Sequence, residues 1–405
     1  MRIGVIVNKG FEKAAIVQIN EIIDGIKKPD VASSIVSFEC KNWEEICRFV
    51  YLNQIANRVI YLIDTFKYTT DDLAISQVSK CILEKDDLFL KELLLKNADF
   101  RVSVKIDEHT DVTYLESEVG GVILDYAQSL GKTLKVNLKN PILNVYIHII
   151  EGQAYIGIDL SSDLSKRDYK IFNNAVSLKG PTAFGLLMLA GYKPTDVYLN
   201  PCCYSGTIEI EAALYATKTS HRLYNKSFPV IKLLNLLNNT EGIYWDNFFK
   251  HIDNERIENK QTDKQYSITG SDKLLSSISA ATKNAKIAGV ESYTNFRRID
   301  FDWMDIKYEE NSFDKIITFI AGSSKHDKKI VKDLDQIFYQ AEYILKKSGK
   351  LIIMCLSKEL LIKSSDKYFD LDNELNVHSG GQMMYVLFFK RKAKIKEAKV
   401  KETKE

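Results

Sequence analysis

Residues 197–213, VYLNPCCYSGTIEIEAA, decide the fold. An apolar run, Val197-Tyr198-Leu199, ends at Asn200-Pro201, passes a turn of mostly small residues and enters a helical pattern at Thr207. A strand, a tight loop and a helix N-terminus in that order make the cradle that receives a nucleotide-like ligand at the carboxyl edge of a parallel sheet. The first helical turn offers free backbone N–H groups there.

The chain on either side carries the rest of such a domain. Upstream, 177–190 (SLKGPTAFGLLMLA) reads as an apolar helix. Downstream, short β-branched or aromatic runs at 265–270, 296–299, 315–320, 350–355 and 383–389 alternate with helical patterns at 274–288 and 333–345. Strands alternating with helices predict a parallel or mixed sheet covered on both faces. Residues 218–264 interrupt this pattern. They are rich in Asn and Lys, with helical patches at 230–237 and 245–249, and read as a surface excursion without chemistry. The last residues, 391–405 (RKAKIKEAKVKETKE), form a basic, low-complexity tail.

The first 160 residues follow a different plan. Strands are expected at 2–8, 34–40 and 58–64, with helices at 12–26, 43–54 and 77–95, a ferredoxin-like α+β unit. A further strand at 100–106 (FRVSVKI), a helix at 113–126 and strands at 135–138, 144–150 and 154–159 follow.

Composition narrows the class. The 405 residues are 45% hydrophobic with a net charge of +2, so any nucleic-acid affinity must come from local basic patches. Six cysteines show no CxxC spacing, which predicts reduced thiols in a cytoplasmic protein and no metal site. No run of about 18 apolar residues occurs, so no membrane segment is expected.

Residues 200–213 closely resemble D-P-x-C-G-S-G-T-x-x-I-E-A-A, the signature of the S-adenosylmethionine (SAM)-dependent methyltransferases that modify guanine N2 and are fused to a THUMP domain. The order FRVSVKI, helix, KVNLKNP, VYIHIIEGQAYIGIDLS resembles the THUMP domain itself, and SKRDY at 165–169 stands where the family carries H-K-R-G-Y. The resemblance covers about residues 90–215 by motif and 265–390 by pattern. It implies a Rossmann-like methyltransferase domain over 177–390, preceded by an N-terminal ferredoxin-like region over 1–85, a THUMP domain over 86–161 and a linker over 162–176. It implies SAM as cofactor and tRNA, or another structured RNA, as partner. THUMP domains hold RNA largely through phosphate contacts, and the basic residues offered for that are Arg101, Lys105, Lys139, Lys166 and Arg167. Each of them alone is equally an ordinary solvated charge.

A SAM site of this type needs a loop open to the methionine part, an acid at the end of the second strand for the ribose hydroxyls, and a polar group after the third strand for the adenine amine. Asn200, Pro201, Cys203, Ser205, Gly206 and Thr207 supply the loop; Asp272, equally placed to cap a helix, supplies the acid; Asp300 with Phe301 stands at the adenine position. Two loop positions depart from the signature. Asn200 replaces an Asp that helps place the methionine amino group, and Tyr204 replaces a glycine, a strain of roughly 1–2 kcal/mol wherever the backbone is left-handed. The acceptor end departs further. The N/D-P-P-Y/F tetrapeptide expected after the fourth strand, whose aromatic stacks on a flipped base, is replaced by Phe319-Ile320-Ala321-Gly322-Ser323. Phe319 offers a ring, and Ser323, Ser324 and His326 offer hydrogen-bonding groups. Two readings follow: a SAM-dependent RNA methyltransferase acting on tRNA, most simply at a guanine N2, or a catalytically inactive RNA-binding protein that kept the fold.

Overall fold

A computed structural model of the protein describes residues 1–26, 28–85, 87–106, 112–173, 176–238, 243–260, 266–321 and 328–392. Among them lie two seven-stranded sheets. The first holds β1 (Arg2–Ile6), β2 (Asp30–Ala32), β3 (Ile35–Glu39), β4 (Arg58–Lys67), β5 (Phe100–Ile106), β6 (Leu143–Ile150) and β7 (Gln153–Asp159), in the order β2-β3-β1-β4-β7-β6-β5. The ferredoxin-like and THUMP segments therefore share one continuous sheet, joined where β4 pairs antiparallel with β7. All eight residues of β6 (LNVYIHII) are buried, as a central strand covered on both faces requires. The segment 135–138, expected as a strand, makes only a single bridge, Val136 to Phe100.

The second sheet holds β8 (Tyr198–Asn200), β9 (Ile268–Asp272), β10 (Asn295–Arg298), β11 (Phe313–Ile320), β12 (Leu345–Cys355), β13 (Phe369–Ser379) and β14 (Gln382–Arg391). Its order is β10-β9-β8-β11-β12-β14-β13, with β8 to β12 mutually parallel and β14 antiparallel to both its neighbours, β12 and β13. This is a Rossmann-like, doubly wound sheet, and strand order reverses between β8 and β11, the switch point where ligands of such sheets bind. The long hairpin strand β13 has no counterpart in the sequence expectation: its residues FDLDNELNVHS mix charge with apolar residues, and only three of the eleven are buried.

The segment 218–264 is not a surface excursion. Its helices Pro229–Asn238 and Ile243–Lys260 turn Phe228, Val230, Leu233, Trp245, Phe249 and Ile252 into the main core. Tyr51 of the helix Trp43–Leu52 packs on Phe249 at 4.7 Å between ring centroids, and its hydroxyl donates to Asp253 at 2.8 Å. The segment straps the methyltransferase-like half onto the N-terminal sheet. Among the described residues no helix is long and apolar enough to cross a membrane.

Candidate active site

The loop after β8 is shaped by its own side chains. Asn200, fully buried, accepts the Cys202 N–H on Oδ1 at 3.0 Å, an Asx turn that directs the chain away from the strand. An amide oxygen does this as well as a carboxylate oxygen, so the missing charge of Asn200 leaves the turn intact. Cys203 N–H donates to the Ser271 carbonyl of β9 at 2.9 Å, and Gly206 N–H closes back on Cys203 at 2.7 Å. Gly206 has φ +79°, and a Cβ there would stand 2.8 Å from that of Ala281. The helix Thr207–Ala216 starts directly after it. Ser205 is fully buried; its hydroxyl hydrogen-bonds Ser177, and its carbonyl accepts from Asn284 at 3.1 Å. Pro201 and Cys203 are buried, Thr207 nearly so. Burial pushes the Cys202 thiol up to about 12 and the Cys203 thiol well above its usual range, so neither is a thiolate nucleophile.

Tyr204 adopts the left-handed conformation, φ +49°. Its ring crosses to the end of β11, 6.1 Å from the Phe319 ring, and its hydroxyl lies beside the backbone N–H of Ala321. The residue that replaces a glycine thus bridges the donor loop and the start of the acceptor loop.

Asp272 ends β9 with a buried carboxyl. Oδ2 accepts Tyr204 N–H at 3.2 Å and Oδ1 accepts Leu274 N–H at 2.8 Å, so it both ties the loop and caps the turn into the helix Leu275–Ile287. Its pKa is raised, first by burial. The Ser277 hydroxyl also donates to this carboxyl, and the acceptor capacity that remains is what a diol would use. Asp300, exposed, follows β10, and Phe301 beside it is buried with the Lys273 ammonium 5.5 Å from its ring. These positions surround the carboxyl ends of β8, β9 and β10 as a nucleoside needs.

The acceptor end is less open. Phe319 is buried at 4% exposure and engaged by Tyr204, so it is not a free stacking platform. Ile320 is buried and Ala321 partly so; Gly322, Ser323, Ser324 and His326 lie outside the described residues.

The basic residues divide. Lys105, Lys139 and Lys166 are exposed, and Arg101 is half-buried, donating to the Leu138 carbonyl at 3.2 Å and to Asn144 at 3.3 Å. Arg167 is not an RNA contact. Its side chain is fully buried, and its guanidinium donates to Glu211 at 2.7 Å, to the Gln54 carbonyl at 2.6 Å and to the Leu164 carbonyl at 2.6 Å. Lys105 lines a cavity of about 960 Å³ together with Lys9, Arg58, Lys179 and the β13–β14 turn. His148 borders it with both ring nitrogens unpartnered. Burial first, then the Lys105 and Arg58 charges, hold its pKa down at about 3.

Two site residues were not singled out in the sequence. The Phe296 ring lies 2.9 Å from where a Cβ of Gly270 would stand and 3.0 Å from that of Gly206, flooring the loop. Glu209, in the first turn of the helix Thr207–Ala216, is fully buried; its own backbone N–H and the Asn200 amide lie near its carboxyl, but neither closes a hydrogen bond of normal geometry. An acid at a position flanked by Ile208 and Ile210 was the available signal.

Comparison with known proteins agrees with this arrangement. A family model described as RMKL-like, methyltransferase domain, matches residues 167–384, and a THUMP domain model matches residues 87–159. The chain is 29% identical over 311 residues to the tRNA (guanine(6)-N2)-methyltransferase of Methanocaldococcus jannaschii, covering 73% of this chain and 77% of that one. It is 24% identical over 376 residues to the enzyme of the same name from Archaeoglobus fulgidus, covering 88% of each. The crystal structure of the SMU.472 protein complexed with SAH superposes with a TM-score of 0.75 at 17% identity, over 97% of this chain and 98% of that one, which is a likeness of fold. The first of these models spans more than half of the chain, and the protein belongs to the RMKL-like methyltransferase-domain family, with a THUMP domain ahead of that domain.

Proposed function

We propose that the protein is a SAM-dependent tRNA methyltransferase acting on the exocyclic N2 of a guanine. The observation that carries this reading is the loop after β8, shaped by Asn200 and Gly206 and tied to Asp272 at the switch point of the sheet. The two relatives named tRNA (guanine(6)-N2)-methyltransferases, and the SAH complex of a chain with the same fold, support donor and substrate alike. SAM supplies an electrophilic methyl group on a sulfonium. In this chain Asp272 takes the ribose hydroxyls, Asp300 with Phe301 takes the adenine, and the Asn200–Thr207 loop faces the methionine part. Lys105, Lys139, Lys166 and Arg101 contact RNA phosphates, and a tRNA substrate places the protein in the cytoplasm. The boundaries proposed for the units are 1–85, 86–161 and 177–390.

One observation favours a second reading, an RNA-binding protein without catalysis: Phe319 stands where the acceptor tetrapeptide opens, and its ring is covered by Tyr204. Purified protein incubated with unmodified tRNA and methyl-labelled SAM separates the two. Label in N2-methylguanosine supports the enzyme. Heat on titration with SAM and binding of tRNA without transfer of label selects the second reading, and no heat with SAM removes the donor site.

A further inference from the structure

A SAM molecule carries two positive centres, its sulfonium and its ammonium, and the residue at the end of β8 that would meet them, Asn200, is neutral. An acid beside that amide is Glu209, reached from the helix side. Its Oε1 lies 2.8 Å from where a Cβ of Gly270 would stand, under the strand that ends in Asp272. The Glu209 backbone N–H and then Asn200 Nδ2 are near enough to favour the charged form of this carboxyl, yet no hydrogen bond of normal geometry closes, and Asn200 Nδ2 and both Glu209 oxygens are left unsatisfied at zero exposure. Orphaned buried polar atoms on two facing side chains mark a place where a ligand group or its bridging water completes the hydrogen bonding.

We propose that Glu209 is the acid that balances the donor's ammonium group, with Asn200 aligning it. The inference rests on the donor-site reading above. The groups facing Glu209 are Asn200 and Tyr198 from β8, Cys203 from the loop and Asp272 from β9. None is cationic, so the free site has an acid and no counter-charge. Burial holds the carboxyl largely protonated at neutral pH, and arrival of the ammonium releases that proton to the buffer.

The test is calorimetry of the full chain with SAM and with 5′-methylthioadenosine, which lacks the amino acid part. Glu209→Gln weakens SAM about tenfold or more and leaves 5′-methylthioadenosine within twofold. It also abolishes the proton release seen for SAM in buffers of different ionisation enthalpy. Equal weakening of both ligands, or of neither, overturns the proposal. Glu209→Leu loses the same affinity, and adding Asn200→Asp to it restores the charge from the other side; a double variant no better than the single one also overturns it. If the wild-type chain binds neither ligand, the donor-site reading itself fails.

Discussion

At the scale of single residues, Tyr204 is where sequence and geometry conflict most openly. Its left-handed backbone carries roughly 1–2 kcal/mol of strain, offset by the ring packed on Phe319. Removing the ring and keeping a Cβ loses the contact and retains the strain, whereas glycine loses the contact and relieves the strain. Tyr204→Ala is therefore expected to be the less stable of the two variants, by about 1 kcal/mol against Tyr204→Gly, read from urea melts. Glu209 gives a pH signature. Burial raises its carboxyl from about 4.3 in an unfolded chain to about 8 in the fold. The folded state holds a proton that the unfolded state releases, so this group's contribution is fully present below about pH 4.3 and is lost as pH rises to about 8. Glu209→Gln removes that loss. Its Tm relative to wild type is expected to climb between pH 5 and pH 8 by roughly 2–4 °C or more, and a constant difference would show the carboxyl to be solvated. Asp272 was visible in the sequence as the acid closing a strand, and in the structure its carboxyl ties the loop and caps the turn into the helix Leu275–Ile287. Glu209 was not, because a polar residue in a first helical turn is ordinarily a solvated one, and only the close approach of Gly270 puts it inside.

At the scale of elements, a buried ion pair and a strap are prominent among the contacts that hold the halves together. Arg167 of the linker meets Glu211 of the helix Thr207–Ala216, Tyr169 donates to the same carboxyl at 2.7 Å, and Gln54 of the N-terminal unit donates to its other oxygen at 2.7 Å. A Cβ on Gly180 would sit 2.3 Å from Arg167 Nε, so the opening of the helix Gly180–Leu189 is glycine by necessity. Arg167→Ala leaves Glu211 buried without its counter-charge and is expected to destabilise the chain by about 3–5 kcal/mol, measured by denaturant melts; a loss below about 1 kcal/mol would place the pair in solvent. Phe249→Ala in the strap opens a cavity against Tyr51 and Phe228 and is expected to lower stability by about 3–5 kcal/mol as well. A mere surface excursion would tolerate it within about 0.5 kcal/mol. The strands of the nucleotide-binding sheet could be read from their β-branched runs, but Arg167 could not be placed. Its partner lies 44 residues on, and a Lys-Arg pair beside a THUMP-like segment looks like phosphate chemistry. For the strap the apolar face of Trp245, Phe249 and Ile252 was in the sequence at helical spacing, masked by Asn and Lys around it.

At the scale of the whole molecule, a net charge of +2 gives RNA little long-range attraction, so binding has to come from cations gathered in one place. The cavity of about 960 Å³ gathers them. Lys9 comes from the N-terminal edge, Arg58 from β4, Lys105 from β5 and Lys179 from the start of the next domain, against the carboxylates of Glu151 and Asp163. Not all four are equally available: Lys9 pairs with Glu151, and Arg58 pairs with Asp159 while its guanidinium lies 4.4 Å from the Tyr146 ring. Lys105 and Lys179, both exposed, are the two that a phosphate would reach at least desolvation. Phosphate contacts release condensed counterions, so each one adds close to one unit to the slope of log K against log salt. For tRNA bound to the full chain, Lys105→Ala and Lys179→Ala are each expected to lower that slope by about 1, and the double variant by about 2, with little dependence on tRNA sequence. Lys390→Ala, a salt-bridged cation on β14 of the other sheet, is expected to leave the slope unchanged. Equal slopes for all these variants would move the RNA away from the cavity, toward other exposed cations such as Lys139 or Lys166.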